Sequence, residues 1–356
     1  MNNKMNKLTK ISLSALCGSL ASVSAANAGD MTVTGGVDMT YMLENSGDGD
    51  TNDGTTGNPI GMGSNLTFKG SGELDNGWTF GLTVAMLNND AYSNTNVTVT
   101  MGGLGELDFN QGNSANGIDA FDDKMPTAWE EPWGMGLNTG IKLVSGVGTA
   151  SNVQYKTPTI AGTTITVALA PDVGSGNVAD KGHGVSDDGT GKAMDGTINV
   201  NPSLGTEVLS GLNIFAGGSY TEAMNQTGNL NDRYEAVGGL TLDIGPVSLG
   251  YAKSGISTGK TVTKTDVDWY KNAMYGVSFN INDDLSISYG NHQSEVGYVS
   301  PETLESITTE VVSWQVAYTM GGASIRYADS DVDNGAYQTG TAFDKEMRVL
   351  SLALAF

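Results

Sequence analysis

Lys345 to Phe356 read KEMRVLSLALAF. Successive strand side chains alternate between faces, so Leu350, Leu352, Leu354 and Phe356 share one face of an extended segment, with Val349, Ser351, Ala353 and Ala355 opposite. The first face is large and apolar, the second small or polar, and the run finishes on an aromatic ring. Aromatic rings are favoured where hydrocarbon meets water, and the closing strand of a membrane barrel sets its last aromatic there. The segment predicts a strand with its bulky face turned to lipid.

The N-terminal segment agrees. Lys4, Lys7 and Lys10 form a positive region, Ile11 to Ala25 is modestly apolar, and Ala26-Asn27-Ala28 carries small residues where a signal peptidase inspects the chain. The apolar stretch falls short of the ~20 residues that span hydrocarbon. Residues 1–28 are therefore expected to be a cleaved secretion signal, leaving 29–356 as one domain. The only cysteine, Cys17, lies inside the signal and follows Leu16, where a lipoprotein site needs a small residue. A mature chain without cysteine excludes disulfides, thiol catalysis and cysteine-ligated metal.

Composition narrows the class. The chain is 38% hydrophobic with 50 glycines and 8 prolines, too polar for a bundle of membrane helices, and no apolar run after the signal is long enough to span. The remaining membrane architecture is a barrel, whose signature is many short alternating segments separated by turns. Met31, Val33, Val37 and Met39 oppose Thr32, Thr34, Asp38 and Thr40. Leu66 and Phe68 lead through Asp75-Asn76-Gly77 into Trp78, Phe80, Leu82, Val84 and Met86, a hairpin with favoured turn chemistry. Further pairs turn at Gly102 to Gly105, Ala161-Gly162, Gly245-Pro246, Asn282 to Asp284 and Gly321-Gly322. The stretch from Ile198 to Ala216 alternates less cleanly.

The count is sixteen strands. The predicted fold is all-β, a transmembrane antiparallel barrel with tight turns at one rim. The long connections 44–63, 174–192, 256–269, 296–306 and 333–344 face outside. A secreted sandwich also alternates, but its apolar face points into a core and has no reason to carry rings at strand ends. Here Trp78, Tyr251, Tyr275, Tyr289, Trp314, Tyr318, Tyr327 and Phe356 all fall on the apolar face.

Four segments, MTVTGGVDMTY at Met31, GELDFNQGNSA at Gly105, NVQYKTPTIAG at Asn152 and the terminal LALAF, occur in order and at spacings that resemble the Gram-negative general porins, in particular the alphaproteobacterial sixteen-stranded type. The resemblance covers the whole mature chain. It implies a homotrimeric outer-membrane channel for ions and small hydrophilic solutes, with a third loop folded inward to narrow the pore. It also implies that carboxylates on that loop face basic side chains on the wall.

The residues lead to the same loop. Residues 113–149 are the longest stretch without sustained alternation, and loops of that length are usually functional or disordered. Ile118, Phe121, Met125, Trp129 and Trp133 give it apolar anchors, so it is expected to pack against the inner wall. It carries Asp119, Asp122, Asp123, Glu130 and Glu131 against Lys124 and Lys142. Strand parity turns Lys69, Lys156, Arg233 and Arg326 into the lumen, together with Asp38, Asp108, Glu235 and Asp243. These loop carboxylates and four basic residues form the candidate filter.

With the three signal lysines removed, 14 basic residues face 39 acidic ones, a net charge of −25. Such a field, focused by low-dielectric walls, concentrates counter-ions, and a modest preference for cations is expected. Nucleic acid has the wrong sign to be a partner.

Asp48-Gly49-Asp50-Thr51-Asn52-Asp53-Gly54 begins like a calcium loop but has Asp53 where the turn glycine belongs and Pro59 where a bidentate glutamate belongs, so it is not an EF-hand. Weak calcium or magnesium binding by Asp48, Asp50 and Asp53, or by Asp187 and Asp188, stays open beside a plain hydrated loop. Otherwise no cofactor is expected. His183 and His292 have no nucleophile or metal-ligand spacing around them, so catalysis is not expected. The alternatives are an outer-membrane hydrolase built on the barrel and a secreted acidic calcium-binding adhesin. The adhesin would not need detergent, and bilayer conductance would separate hydrolase from channel.

Overall fold

The computed structural model of the chain describes residues 28–47, 58–88, 90–173, 190–202, 210–223 and 231–355. Within them the alternating segments become β1 (Ala28–Gly47), β2 (Ile60–Glu73), β3 (Thr79–Leu87), β4 (Asp90–Thr100), β5 (Glu106–Gln111), β6 (Asn152–Lys156), β7 (Thr163–Ala170) and β8 (Thr190–Val200). The second half supplies β9 (Leu212–Ala223), β10 (Arg233–Ile244), β11 (Val247–Ser257), β12 (Val267–Asn280), β13 (Leu285–Tyr298), β14 (Ile307–Met320), β15 (Ala323–Asp333) and β16 (Lys345–Ala355).

Each strand pairs antiparallel with its sequence neighbour, and β1 closes on β16 with Met39 opposite Leu352 and Tyr41 opposite Leu350. Closure gives every strand two neighbours, the condition for carrying a sheet through hydrocarbon without unsatisfied backbone groups. The tight turns need left-handed backbone, which glycine adopts without steric cost; Gly245 and Gly321 both sit at φ 58°.

The large apolar side chains face outward. Trp314 is 62% exposed, and Val33, Ile165, Leu240, Val277, Ile325 and Leu352 are exposed with it. Rings line up across adjacent strands: Tyr251 is opposite Tyr275 and Tyr289 opposite Trp314, with ring centroids 4.5 Å apart in the second pair. Phe356 lies outside the described residues.

Beyond this row of rings, toward the long connections, the pattern inverts. Lys253, Lys271, Gln293 and Glu310 take the outward positions, while Ile256, Met274, Val296, Val311 and Val332 are buried on the inside. Pairing continues where the outward hydrophobicity stops, so β12, β13 and β14 each run to 14 residues, past the ends suggested by alternation. Ile256, Met274, Val311 and Val332 cluster with apolar residues of segment 112–151, which turns into the lumen between β5 and β6 and contains the short 3-10 turns Gly117–Phe121 and Pro132–Gly134.

Candidate functional site

The inner loop is held along both of its limbs by side chains of inward-facing strand positions. On the outgoing limb Gly117 N donates to Gln154 Oε1 (2.9 Å) and Ile118 N to Asp195 Oδ2 (3.0 Å). On the returning limb Val147 N donates to the same Asp195 oxygen (3.1 Å), and Ser145 N and Gly146 N donate to Glu235 Oε2 (2.6 and 3.3 Å). Asp195, 1% exposed on β8, thus staples the two limbs together. Gly117 and Gly146 are left-handed (φ 54° and 51°), and a Cβ on either would collide with the Asp195 carboxylate. Both positions therefore require glycine.

The apolar anchors seat the middle of the loop. Ile118, Phe121 and Met125 pack with Phe215, Val237, Ala252 and Met274 of β9 to β12. Gly250, Gly276 and Gly290 stand opposite one another on β11, β12 and β13, forming a groove without side chains. Pro126 and Pro132 lie in it: a Cβ on Gly276 would come within 2.7 Å of Pro126 O, and one on Gly290 within 2.7 Å of Pro132 Cγ. Gln315 of β14 accepts from Trp129 N (2.9 Å) and Glu130 N (3.0 Å) and donates to Glu130 O. Met135 and Leu137 reach the inner faces of β14 to β16.

The carboxylates follow the outgoing limb. Asp119 accepts from Ala115 N (2.8 Å), Asp123 is exposed, Asp122 and Glu130 are half-buried and Glu131 is buried. Burial raises Asp119 above the usual carboxylate range, with Asp123 adding to the rise. Burial, then the neighbouring Asp119 and Asp123, pushes Asp122 up to about 7. Burial, then Asp123 and Glu130, pushes Glu131 up to about 8. Crowding like charges in a partly desolvated strip disfavours ionising all of them.

The basic residues do not form one wall opposite the strip. Lys156 lies at the tight-turn end of β6, 4.0 Å from Glu106. Arg233 pairs with Glu235 (2.6 Å) and donates to Ser145 Oγ (3.3 Å), so it is tied to the returning limb. Arg326 pairs with Asp38 (2.6 Å) and lies 4.7 Å from the centre of the Trp129 ring, the geometry of a cation–π contact. Lys69 is exposed and makes no ion pair among the described residues; it borders a small polar recess with Asn96, Asp108, Asn110 and Gln154. The structure therefore ties Arg326 to the loop through Trp129 and Arg233 through Ser145, while Lys156 pairs at the far rim.

One connection expected to face outside turns inward. Between β15 and β16, Tyr337 is 8% exposed, accepts from Lys142 N (2.9 Å), and shares a hydrogen bond with Ser294 Oγ (2.8 Å). Ala336 N donates to Thr139 O (2.7 Å). Asp195, Gln315 and Asn272 are absent from the candidate filter because parity marks an inward polar side chain without saying whether it meets water or protein, and Tyr337 because its connection is expected to face outside. His292, 1% exposed, shares a hydrogen bond with Asn272 (3.2 Å). Among the described residues no group of three or more His, Cys, Asp or Glu is arranged to hold a metal ion. Asp48, Asp50, Asp53, His183, Asp187 and Asp188 lie outside the described residues.

A closed sixteen-stranded barrel with an apolar exterior, polar inner positions and a long loop turned into its lumen defines an outer-membrane channel of the porin class. The Gram-negative porin family model matches residues 12–322, and the chain belongs to that family. Its place is the outer membrane of a Gram-negative bacterium, as a channel and not an enzyme. No curated protein matches the chain by sequence. Among solved structures it is similar to OmpF of Salmonella typhi in complex with daunomycin, at 11% identity and TM-score 0.65, over 92% of this chain and 98% of that one. It is also similar to the trimer form of OmpT of Vibrio cholerae (12%, TM-score 0.64, 93% and 100% covered) and to an anion-selective porin from Comamonas acidovorans (14%, TM-score 0.62, 92% and 100%). At such identities the likeness is one of fold.

Proposed function

We propose that the protein is a passive diffusion channel for ions and small hydrophilic solutes, modestly selective for cations, in which the inner loop is the constriction. The observation that carries this reading is the run of carboxylates from Asp119 to Glu131 on a loop fixed inside the barrel, while Arg233, Arg326 and Lys156 each have a carboxylate partner. Uncompensated charge inside a low-dielectric wall sets ion preference. Asp123 and Glu130 contribute to the attraction, Asp122 and Glu131 add to it as they ionise, and Lys124 within the loop and Lys69 on the wall oppose it. Conductance of the purified protein in planar bilayers, with Asp122→Asn/Asp123→Asn and Lys69→Gln variants, tests channel and filter together.

We also propose a homotrimer. β5 and β6 have 6 and 5 residues. At ~3.3 Å per residue and ~45° tilt they cover about 12 to 14 Å of a hydrocarbon band ~25 Å tall. A wall that low, carrying Leu107, Phe109, Val153 and Tyr155 outward, suits contact with another copy, and the small outward residues Gly35 and Ala323 suit close approach. Crosslinking in mild detergent checks it; a purely monomeric product opposes it.

A further inference from the structure

On the outer side of the returning limb lies a cavity of about 740 Å³, bordered by Lys142, Arg233, Lys260 and Tyr270. Its volume falls in the range of pockets that enclose small organic molecules. Three basic residues meeting at one cavity is notable in a chain with 17 basic and 39 acidic residues.

The Arg233 guanidinium is held in place, and the chain that carries Lys142 is fixed. The backbone of Lys142 is pinned on both sides, its N–H by Tyr337 Oη (2.9 Å) and its C=O by Asn272 Nδ2 (3.0 Å). Arg233 is fixed by Glu235 and by Ser145 Oγ. Tyr270 is braced by Tyr337, ring centroids 5.3 Å apart. The same inward-turned connection thus fixes the backbone from which Lys142 projects and braces an aromatic wall.

The charge balance favours an anion. Of the two carboxylates bordering the cavity, Glu222 is 3.7 Å from Lys192 and Asp119 is capped by Ala115 N–H. Arg233 is balanced by Glu235, but Lys142 and Lys260 have no ion pair among the described residues. Ile256 and Leu143 complete an apolar side next to Tyr270. A basic edge beside an aromatic and aliphatic wall fits a carboxylate on a compact apolar body.

We infer that this cavity is a binding site for small organic carboxylates on the outer approach to the constriction, with Lys142 and Lys260 receiving the carboxylate and Tyr270 the apolar body. The inference rests on the channel reading for its place on a solute path, but binding itself does not. Its consequence is a channel that prefers inorganic cations at the loop yet gathers carboxylate-bearing solutes just above it.

Calorimetric titration of the detergent-solubilised full chain with benzoate tests the site without any measurement of current. Benzoate should bind, benzyl alcohol and inorganic phosphate should bind at least tenfold more weakly, and Lys142→Gln/Lys260→Gln should weaken benzoate about tenfold. Lys142→Arg should retain most of the affinity, which separates lost charge from a disturbed loop. Heat-modifiable migration of each variant reports that the barrel is intact. Equal binding of benzoate and benzyl alcohol, or unchanged affinity in the double variant, overturns the site. Benzoate binding in a protein that passes no current would leave the site standing and remove the channel reading.

Discussion

Replacing Asp195 by alanine should release both limbs of the inner loop at once. Its Oδ2 accepts from Ile118 N at 3.0 Å and Val147 N at 3.1 Å, and the residue is 1% exposed. Hydrogen bonds to a charged acceptor contribute ~1.5–3 kcal/mol each, so the pair is worth ~3–6 kcal/mol before water re-enters. If lumen water recovers half of that, ~1.5–3 kcal/mol remains, and at ~1.4 kcal/mol per tenfold the detached loop becomes about ten- to a hundredfold more populated. The strand ladders use backbone groups only, so the barrel should stay closed and keep its heat-modifiable migration. In planar bilayers Asp195→Ala should show larger open-channel noise and a higher mean conductance, with faster tryptic cleavage after Lys124 or Lys142. Asp195→Asn keeps an acceptor oxygen in place and should show roughly half the effect. Wild-type noise, conductance and cleavage in Asp195→Ala would refute the staple.

The preference for potassium over chloride should grow between pH 6 and pH 9. Asp122 and Glu131, raised to about 7 and about 8, are largely protonated at the lower end and lose their protons across that window, so each step adds negative charge; reversal potentials at stepped pH read it. A unit charge ~5 Å from the ion path in screened water contributes ~0.4 kcal/mol. Asp122→Asn/Asp123→Asn at pH 9 should therefore reduce the permeability ratio about fourfold or more, and Lys69→Gln should raise it, both read from reversal potentials. Gly276→Val would push a side chain into Pro126 and cost ~1–3 kcal/mol by overpacking. Its expected signs are displaced loop contacts, seen as altered conductance, with an unchanged barrel by circular dichroism.

The barrel was legible because one rule acts on nearly every strand. Leu350, Leu352 and Leu354 alternate with Ser351 and Ala353, and hydrophobicity of period two needs no knowledge of the partner strand. The rule faded where its cause did. Beyond the rings of Tyr289 and Trp314 the outward positions become Gln293 and Glu310, since those levels face polar surroundings, while Val311 and Val332 turn inward under the loop. Strand ends there could not be read from alternation. The loop's apolar anchors were legible from composition: Ile118, Phe121 and Met125 had to be buried somewhere. Its polar fastenings were not. Asp195 in GKAMDGTINV looks like any lumen carboxylate, and only the three-dimensional meeting with Gly117 and Gly146 distinguishes it. The same holds for the basic residues, whose parity was readable but whose partners, Asp38 for Arg326 and Glu235 for Arg233, depend on neighbouring strands and register.

The most direct test of the central claim, that water and ions pass a carboxylate-lined loop inside this barrel, is the reversal potential of single channels in a planar bilayer under a tenfold potassium chloride gradient at pH 8. Discrete conductance steps with a reversal potential of the sign set by potassium are the predicted result. A folded, inserted protein that passes no current, or one through which chloride is the more permeant ion, would contradict it.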